Sequence, residues 1–235
     1  MLTVILTSYN RPRLVRKTLS GLMCQTDPRW QCLILDDGSN QETLDVIQQF
    51  TGDIRFRAVT ICPTPEERAA TARYATNINL VLPQIKVGIV GYLCDNVEYH
   101  PQLVSRVLAF FDRTPDAFAG YVIQVRDIWR RENDGEGPDG EYRMGGAREN
   151  GMQEILPLVQ APQIPAGMID KELDHSQVFH RAPIDMLWDD SLEVKHRGDG
   201  AFYERMATQY GPLHAIAPGE VLTLEHTLPI LTVIE

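Results

Sequence analysis

The chain carries the stretch Val90-Gly91-Tyr92-Leu93-Cys94-Asp95-Asn96-Val97-Glu98-Tyr99-His100-Pro101, in which a predicted strand runs into a cluster of polar side chains. Residues 87–93 have the length and the β-branched content of a buried strand, and Pro101 is expected to open the next helix. In open α/β sheets, ligands bind in the crevice at the carboxyl ends of strands. Asp and Asn are also common turn residues, so an ordinary turn explains this stretch equally well when it is taken alone.

Two earlier predicted strands end in the same way. Residues 2–6 precede a polar group at 7–10, and residues 31–35 precede a polar group at 36–40. Helical periodicity follows both groups, and strands that alternate with helices predict a parallel sheet with right-handed crossovers. Because the carboxyl ends of parallel strands share one edge of the sheet, we expect the three polar groups to converge on one site.

The rest of the pattern predicts an α/β chain with one irregular stretch. Residues 130–150 are rich in charge and glycine and lack apolar periodicity, so we predict a mobile loop or flap there. Apolar periodicity elsewhere predicts helices at 12–24, 42–50, 66–82, 101–111, 183–187 and 201–210, and strands at 54–59, 117–125, 213–217 and 221–226.

Composition indicates an ordinary globular chain. Its 235 residues are 43% hydrophobic and 23% charged, and no apolar run approaches the roughly 18 residues of a membrane helix. We see no signal peptide and expect a cytoplasmic protein without a membrane span. The four scattered cysteines predict free, mostly buried thiols rather than a zinc site. An oligomer remains possible.

The charge of the chain makes nucleic acid an unlikely partner. The formal net charge is −10, so the summed field repels polyanions. One modest basic group, formed by Arg11, Arg13, Arg16 and Lys17, is interpreted as a solvated helix face. The chain also lacks a Gly-x-Gly-x-x-Gly turn after the first strand and a P-loop, which argues against a dinucleotide dehydrogenase and a P-loop nucleotidase.

Several segments in a fixed order carry a family resemblance. They are Val4-Ile5-Leu6-Thr7-Ser8-Tyr9-Asn10, Asp36-Asp37-Gly38-Ser39-Asn40, Arg73-Tyr74-Ala75, Ile78-Asn79, the stretch from Tyr92 to Pro101, Asp174-His175, His180-Arg181 and Gly198-Asp199. In this ordered set the chain resembles the nucleotide-sugar-dependent glycosyltransferases of family 2, the inverting enzymes with the GT-A fold. The resemblance implies a single Rossmann-like α/β domain over 1–235, with a mostly parallel sheet flanked by helices. It also implies a nucleotide-sugar-binding half at 1–101 and an acceptor-binding half at 102–235.

The resemblance implies a donor site for a UDP- or dTDP-sugar. Tyr9 would stack on the base, because an aromatic face suits any pyrimidine, and Asp37 would accept a hydrogen bond from the ring imide. Arg68 and Arg73 would reach the base or the diphosphate, although a solvated helix face also explains both arginines. The implied donor site further includes Thr7, Asn10 and Asp95.

A divalent cation, Mn²⁺ or Mg²⁺, is the implied cofactor. Asp95 would face the ribose or the metal, and Asn96 stands where the family usually has a metal-binding carboxylate. Because an amide oxygen is a neutral ligand, this departure predicts weaker metal binding. His226 falls where several related enzymes carry a metal-binding histidine.

Asp199 is the implied general base. It would take the proton from an acceptor hydroxyl while that oxygen attacks the anomeric carbon, so that one displacement inverts the configuration. A plain helix N-cap is the structural alternative for this residue. Asp174 and His175 are implied to lie on the acceptor side of the crevice.

The acceptor class stays open at this stage. A small molecule, a saccharide or a carrier-bound intermediate would each fit. Two other functions also remain: a nucleotide-binding module or attenuated homologue with weak metal binding, which Asn96 keeps open, and a nucleotidyltransferase. The latter usually starts with a glycine-rich loop, and no glycine follows Leu6 before Gly21.

Overall fold

The computed structural model describes residues 1–128, 135–136, 142–143, 152–156, 161–169, 173–194 and 198–226. Its α-helices are α1 (Pro12–Met23), α2 (Gln41–Phe50), α3 (Pro65–Ala70), α4 (Arg73–Val81), α5 (Leu103–Arg113) and α6 (Gly198–Tyr210). The strands are β1 (Leu2–Ser8), β2 (Trp30–Asp36), β3 (Phe56–Thr60), β4 (Ile89–Cys94), β5 (Val97–Tyr99), β6 (Ala119–Tyr121), β7 (Ile123–Ile128), β8 (Gly135–Glu136), β9 (Tyr142–Arg143), β10 (Met152–Leu156), β11 (Gln163–Ile164), β12 (Val178–Arg181), β13 (Leu213–Ala215) and β14 (Val221–His226).

An eight-stranded sheet forms the centre of the fold, in the order β11-β13-β6-β12-β4-β1-β2-β3. The block β3-β2-β1-β4 is parallel throughout, whereas β12 runs antiparallel between β4 and β6. This arrangement confirms the predicted α/β class and the mostly parallel sheet. A second sheet has the order β10-β7-β14-β5. Its edge strand β5 follows β4 directly along the chain.

The central strand β1 is covered on both faces, as its largely apolar sequence predicts. Leu2, Val4 and Leu6 belong to one apolar cluster, which includes residues of α1, α2 and α5. Ile5 points to the opposite face and belongs to a second cluster with residues of α4 and α6. The sheet therefore has helices on both sides and exposes its functional groups at the strand ends.

The side chain of Gln25 joins three of these elements just after α1. Its amide nitrogen donates to the carbonyl oxygens of Gly21 and His100 at 3.2 and 2.9 Å. Its amide oxygen accepts from the backbone N–H of Val104 at 3.0 Å, in the first turn of α5. This buried residue supplies the start of α5 with an acceptor from a distant part of the chain, because Gln102 at the helix N-cap makes no side-chain cap bond.

The predicted helix at 66–82 is wrong, because the chain breaks into α3 and α4. Thr71 and Ala72 between them are extended, with φ values of −137° and −74°. The N–H of Ala72 donates to the carbonyl oxygen of Asp190 at 2.8 Å instead of continuing the helix. A contact from far along the chain therefore interrupts a locally favourable helix.

Two other predicted elements differ. Residues 183–187 are not helical, and the N–H of Asp185 donates to the Tyr210 hydroxyl at 3.2 Å. The predicted strand at 117–125 is divided at Val122, whose N–H donates to the carbonyl oxygen of Gln177. As a result β6 joins the central sheet, while β7 joins the second sheet.

The predicted flap at 130–150 lies outside the described residues apart from the short antiparallel pair β8 and β9. All four cysteines are free, as predicted, but the prediction that most of them are buried is wrong: Cys32 is buried, Cys94 is half-buried, and Cys24 and Cys62 are exposed. Among the described residues, every helix is too short or too polar to cross a bilayer.

Candidate active site

The predicted convergence of strand ends is present at one edge of the central sheet. Thr7 on β1 pairs with Cys94 on β4, and Ser8 on β1 pairs with Asp36 on β2. The three strands therefore end next to one another at the same edge of the sheet. Beside them lies a cavity of about 430 Å³. Its lining consists of Thr7, Ser8, Tyr9, Arg11, Asp37, Arg68, Arg73, Tyr74, Asn77, Cys94, Asp95, Asn96, His175 and Asp199.

The carboxylate of Asp37 is buried and surrounded by hydrogen-bond donors. Arg68 Nη1 lies 2.6 Å from its Oδ2, and Arg73 Nε and Nη2 lie 3.1 and 3.0 Å from its Oδ1. Asn77 Nδ2 also donates to Oδ1 at 2.9 Å. Arg73 and Asn77 are four residues apart in α4 and reach the same oxygen, since positions i and i+4 share a helix face. These contacts fix both arginines at the cavity, so they are not a solvated helix face.

Tyr9 and Arg68 form a stacked pair at the mouth of the cavity. The guanidinium carbon of Arg68 lies 4.1 Å from the ring centroid of Tyr9, within the range of a cation–π interaction. Tyr9 is 42% exposed, so part of its ring remains accessible. A planar aromatic group beside two arginines suits a ligand with a flat base and an anionic tail.

Asp95 is a second buried carboxylate in the lining of the cavity. Its Oδ1 accepts from Arg11 Nη1 at 3.0 Å, and its Oδ2 lies 3.4 Å from the N–H of Tyr9. Burial raises the pKa of Asp95 above its ordinary value, while the Arg11 charge and hydrogen bond oppose that shift. The predicted solvated role of Arg11 is therefore wrong, because this residue lines the cavity and pairs with Asp95.

Asn96 lines the cavity, but His226 does not. Asn96 Nδ2 donates to the backbone carbonyl of His226 at 3.0 Å, and His226 N donates to the carbonyl of Asn96 at 2.9 Å. The imidazole of His226 is engaged elsewhere, because its Nε2 lies 2.5 Å from Glu98 Oε1, which also contacts Lys17 at 3.4 Å. The structure thus brings the backbone of His226 to Asn96 and pairs its ring with Glu98.

Asn10 also lies outside the cavity lining. Its φ of 53° is in the left-handed region, which Asn tolerates better than most residues. Asn10 Oδ1 accepts from the N–H of Asn40 at 2.7 Å, and its own N–H donates to Ser39 Oγ at 2.9 Å. This residue ties the loop after β1 to the loop after β2 and so positions Tyr9 beside Asp37.

Asp199 lies in the first turn of α6, where the helix dipole favours a carboxylate. Its side chain is 30% exposed and reaches the cavity. The neighbouring Gly198 makes room for Tyr74, because a Cβ atom at this position would collide with the Tyr74 hydroxyl. Burial, and after it the charge of Asp199, raises the pKa of Tyr74, which keeps that hydroxyl protonated beside the carboxylate.

His175 is 3% exposed and faces Asp199, with 3.8 Å between its Nδ1 and the carboxylate Oδ1. Its neighbour Asp174 does not line the cavity and instead precedes a single 3₁₀ turn, His175–Gln177. Ser176 in this turn accepts a hydrogen bond from the N–H of Cys94 at 3.0 Å. The 3₁₀ turn that carries His175 is therefore hydrogen-bonded to the end of β4.

Some cavity residues were not singled out from the sequence as site residues. Asn77 lies four residues after Arg73, and this i, i+4 spacing could have predicted that the two side chains share one face of the helix. Tyr74 follows Arg73 directly in the sequence. Trp188 and Tyr203 are buried in the core at 2% and 0% exposure. Within the described ranges, His, Cys, Asp and Glu side chains do not gather in threes at distances that could hold a metal ion.

Comparison with known proteins identifies relatives of this chain. CgeD of Bacillus subtilis (strain 168) is 32% identical over 212 residues, which are 87% of this chain and 45% of CgeD. The putative teichuronic acid biosynthesis glycosyltransferase TuaG of the same organism is 27% identical over 130 residues, 54% of this chain and 49% of TuaG. The chain thus spans about half the length of these curated relatives.

Solved structures share the fold at low sequence identity. S. aureus TarS 1-349 in complex with UDP-GlcNAc has a TM-score of 0.64 and 13% identity, covering 97% of this chain and 59% of that chain. The mannosyltransferase PcManGT from Pyrobaculum calidifontis, in complex with GDP-Man and Mn²⁺, has a TM-score of 0.59 and 14% identity, covering 97% and 57%. These matches support the predicted GT-A fold.

The family model described as glycosyl transferase family 2 matches residues 3–157, which include β1, β2, β4 and the cavity residues that follow them. This match extends over more than half of the chain and agrees with the relatives and the fold. The chain therefore belongs to glycosyltransferase family 2.

Proposed function

We propose that the chain binds a UDP- or dTDP-sugar in this cavity and transfers the sugar to an acceptor hydroxyl with inversion of configuration. One observation carries the proposal: the Asp37–Arg68–Arg73 cluster and the carboxylate of Asp199 line the same cavity. The first suits a nucleoside diphosphate and the second suits a proton acceptor. Family membership and the likeness of fold to TarS in complex with UDP and with UDP-GlcNAc support it.

The donor side of the proposal assigns the nucleotide to the half formed by residues 1–101. Tyr9, which is 42% exposed, offers an aromatic ring for the base, and the guanidinium groups of Arg68 and Arg73 offer planar donors for diphosphate oxygens. Oδ1 of Asp37 already accepts from Arg73 and Asn77. An imide N–H of the base would therefore bond to Oδ2, which Asp37 would share between the base and Arg68. A pyrimidine with a ring imide, uracil or thymine, fits this arrangement.

Asp95 and Asn96 would hold a divalent cation, Mn²⁺ or Mg²⁺. Both residues line the cavity and carry the oxygen ligands that such ions prefer, and Mg²⁺ is often held by one or two carboxylates together with substrate phosphates. A cation bound there would offset negative charge on the leaving diphosphate. His226 is left out of this donor set because its ring is bonded to Glu98.

The acceptor side of the proposal rests on Asp199. Its carboxylate takes the proton of the attacking hydroxyl, while the bond between the anomeric carbon and the diphosphate oxygen breaks on the opposite face. The acceptor, bound by residues of the 102–235 half, is a small molecule, a saccharide or a carrier-bound intermediate. Family membership favours this reaction over the nucleotidyl transfer left open by the sequence.

A screen of nucleotides by thermal shift tests the donor assignment. UDP, dTDP, GDP, CDP and ADP are each added with Mn²⁺ or with EDTA, and a ligand that prefers the folded state raises the melting temperature. We expect UDP or dTDP to give the largest shift, and Mn²⁺ to increase it. At about one hundred times its Kd, a ligand contributes about 2.7 kcal/mol of stability.

The same screen separates the alternatives. An equal response to all five nucleotides would contradict the assigned base recognition, and no response to any of them would remove the donor site. A shift with UDP, combined with no release of UDP from any UDP-sugar and no release of dTDP from any dTDP-sugar, would favour the nucleotide-binding module. In that case Asn96→Asp, which supplies a second carboxylate, should strengthen the response to Mn²⁺.

A further inference from the structure

The side chain of His175 is buried and held in place by neighbouring aromatic rings. Its ring is buried and packs against Tyr74, Tyr92 and Trp188, with centroid distances of 5.6, 5.8 and 5.1 Å. Its backbone carbonyl accepts from the Tyr203 hydroxyl at 2.9 Å. Aromatic neighbours on several sides and an anchored backbone leave the imidazole little freedom to rotate.

The same ring presents one nitrogen to a carboxylate and hides the other. Nδ1 lies 3.8 Å from Oδ1 of Asp199. Nε2 is buried and, within the described part of the chain, has no hydrogen-bond partner. An ionised carboxylate can only accept, so a hydrogen bond between the two residues requires the proton on Nδ1. A hidden Nε2 also favours the tautomer without a proton there, since a buried N–H without an acceptor is costly.

We propose that His175 is a positioning residue for Asp199: its Nδ1–H holds one carboxylate oxygen of Asp199 and turns the other toward the acceptor hydroxyl. The proposal rests on the function proposed above, in which Asp199 is the base. The separation of 3.8 Å is longer than the 2.7–3.2 Å of an N–H···O bond. Catalytic hydrogen bonds are often long in the free enzyme and shorten in the reacting complex.

This arrangement gives the two carboxylate oxygens different tasks. The oxygen that accepts from His175 is fixed in direction, and the other retains the lone pairs that take the proton. Because Asp199 is 30% exposed, its side chain would otherwise sample several rotamers in water. His175 neither gains nor loses a proton in the reaction, and the proton of the acceptor ends on Asp199.

The first test uses the protein alone. Side-chain ¹⁵N NMR of histidine-labelled protein should show His175 with a protonated Nδ1 and an unprotonated Nε2. Asp199→Ala, which removes the acceptor, should shift the Nδ1 resonance of His175 and leave the exposed His100 unchanged. A proton on Nε2 in place of Nδ1, or an Nδ1 resonance that ignores Asp199→Ala, would overturn the proposal without reference to any activity.

The second test uses release of UDP from UDP-GlcNAc, with water as the acceptor. His175→Phe keeps an aromatic ring in the cage but cannot donate, and we expect kcat to fall by about 10- to 100-fold, part of the effect of a general base. KM for UDP-GlcNAc should change by less than about twofold, because the donor contacts remain. His175→Asn places an amide N–H near the position of Nδ1 and should recover much of kcat, while His100→Asn serves as the matched control.

The outcomes separate the two proposals. An unchanged kcat in His175→Phe, or a loss in His175→Asn as large as in His175→Phe, would reduce His175 to a packing residue while the transferase function stands. If the unaltered protein releases neither UDP from UDP-GlcNAc and other UDP-sugars nor dTDP from dTDP-sugars, the proposed function fails first, and the role of His175 falls with it.

Discussion

At the scale of single residues, the carboxylate of Asp37 holds together the proposed donor side of the cavity. Both arginines that line this side reach it, and Asn77 completes the set. Charge-assisted hydrogen bonds of this kind are stronger than neutral ones, and a buried partner left without its counterion is costly. One buried carboxylate therefore holds both arginines at the wall of the cavity.

Asp37→Asn should weaken both the fold and nucleotide binding. The amide has no charge, and its NH₂ group would face donors, so we expect the free energy of unfolding to fall by about 1.5–3 kcal/mol. Urea denaturation measures this loss, and titration calorimetry should show at least about tenfold weaker UDP binding, which corresponds to 1.4 kcal/mol. Asp45→Asn is the control, since Asp45 is exposed and bonded to Gln41 in the same helix. Equal midpoints for the two variants would contradict this account.

Asp199→Asn tests the proposed base at the same scale. The amide keeps the shape of the side chain but cannot take a proton, so turnover should fall by about 10²–10⁴-fold. UDP binding should stay within about twofold of the original, because the residues proposed to contact the diphosphate are Arg68 and Arg73 rather than Asp199. Release of UDP and calorimetry measure the two effects, with the exposed Asp185→Asn as the control. Substantial remaining transfer would show that another group accepts the proton.

At the scale of elements, the start of α6 and the side of α4 fit together through one glycine. Gly198 allows the Tyr74 hydroxyl to approach the helix start that carries Asp199. The break between α3 and α4 belongs to the same arrangement, because Ala72 turns away to bond Asp190 and sets the direction in which α4 begins. Packing between two helices distant in sequence thereby determines where the proposed base lies.

Gly198→Ala should therefore destabilise the protein through Tyr74. A Cβ atom at 198 would overlap the hydroxyl, and we expect a loss of about 1–3 kcal/mol, typical of an overpacked core. The loss should shrink in a Tyr74→Phe background, and a double-mutant cycle by urea denaturation measures that coupling. Gly52→Ala is the control, because a Cβ atom there meets nothing within 4 Å. Additive effects of the two substitutions would contradict a contact between them.

At the scale of the whole molecule, a buried histidine couples the stability of the fold to pH. His180 is fully buried, its Nδ1 donates to the carbonyl of Arg181 at 2.8 Å, and its Nε2 lies 2.8 Å from the Tyr92 hydroxyl. Burial lowers the pKa of His180 to about 4 from its ordinary 6.5. Between these two values the unfolded chain binds a proton that the folded chain does not, so this residue contributes less stability as the pH falls.

We expect the free energy of unfolding to decrease as the pH is lowered from about 6.5 toward 4, with a contribution from His180 of at most about 3 kcal/mol. Above pH 6.5 the contribution should be constant. Urea denaturation at several pH values measures the slope, which should become shallower in His180→Gln and stay the same in the exposed His100→Asn. An unchanged slope in His180→Gln would assign the pH dependence to other groups.

Much of the fold could be predicted because its signals are local. The central parallel strands are apolar runs followed by polar residues, and their positions agree with β1, β2 and β4 within about two residues. The helix at 66–82 failed because the contact between Ala72 and Asp190 is not visible in the local pattern. Helix propensity is a weak preference that one tertiary hydrogen bond and the packing around it can override.

By itself, the sequence determined the α/β class and the strand ends that carry polar groups, because hydrophobic periodicity depends only on neighbouring residues. The convergence of those ends then follows from the geometry of any parallel sheet, in which the carboxyl ends of the strands share one edge. The tertiary structure alone decided how the side chains pair: Asp37 with two arginines, Arg11 with Asp95, His226 with Glu98, and His175 facing Asp199. Each of these pairs joins separate elements, and its distance depends on rotamers and packing that only the complete fold determines.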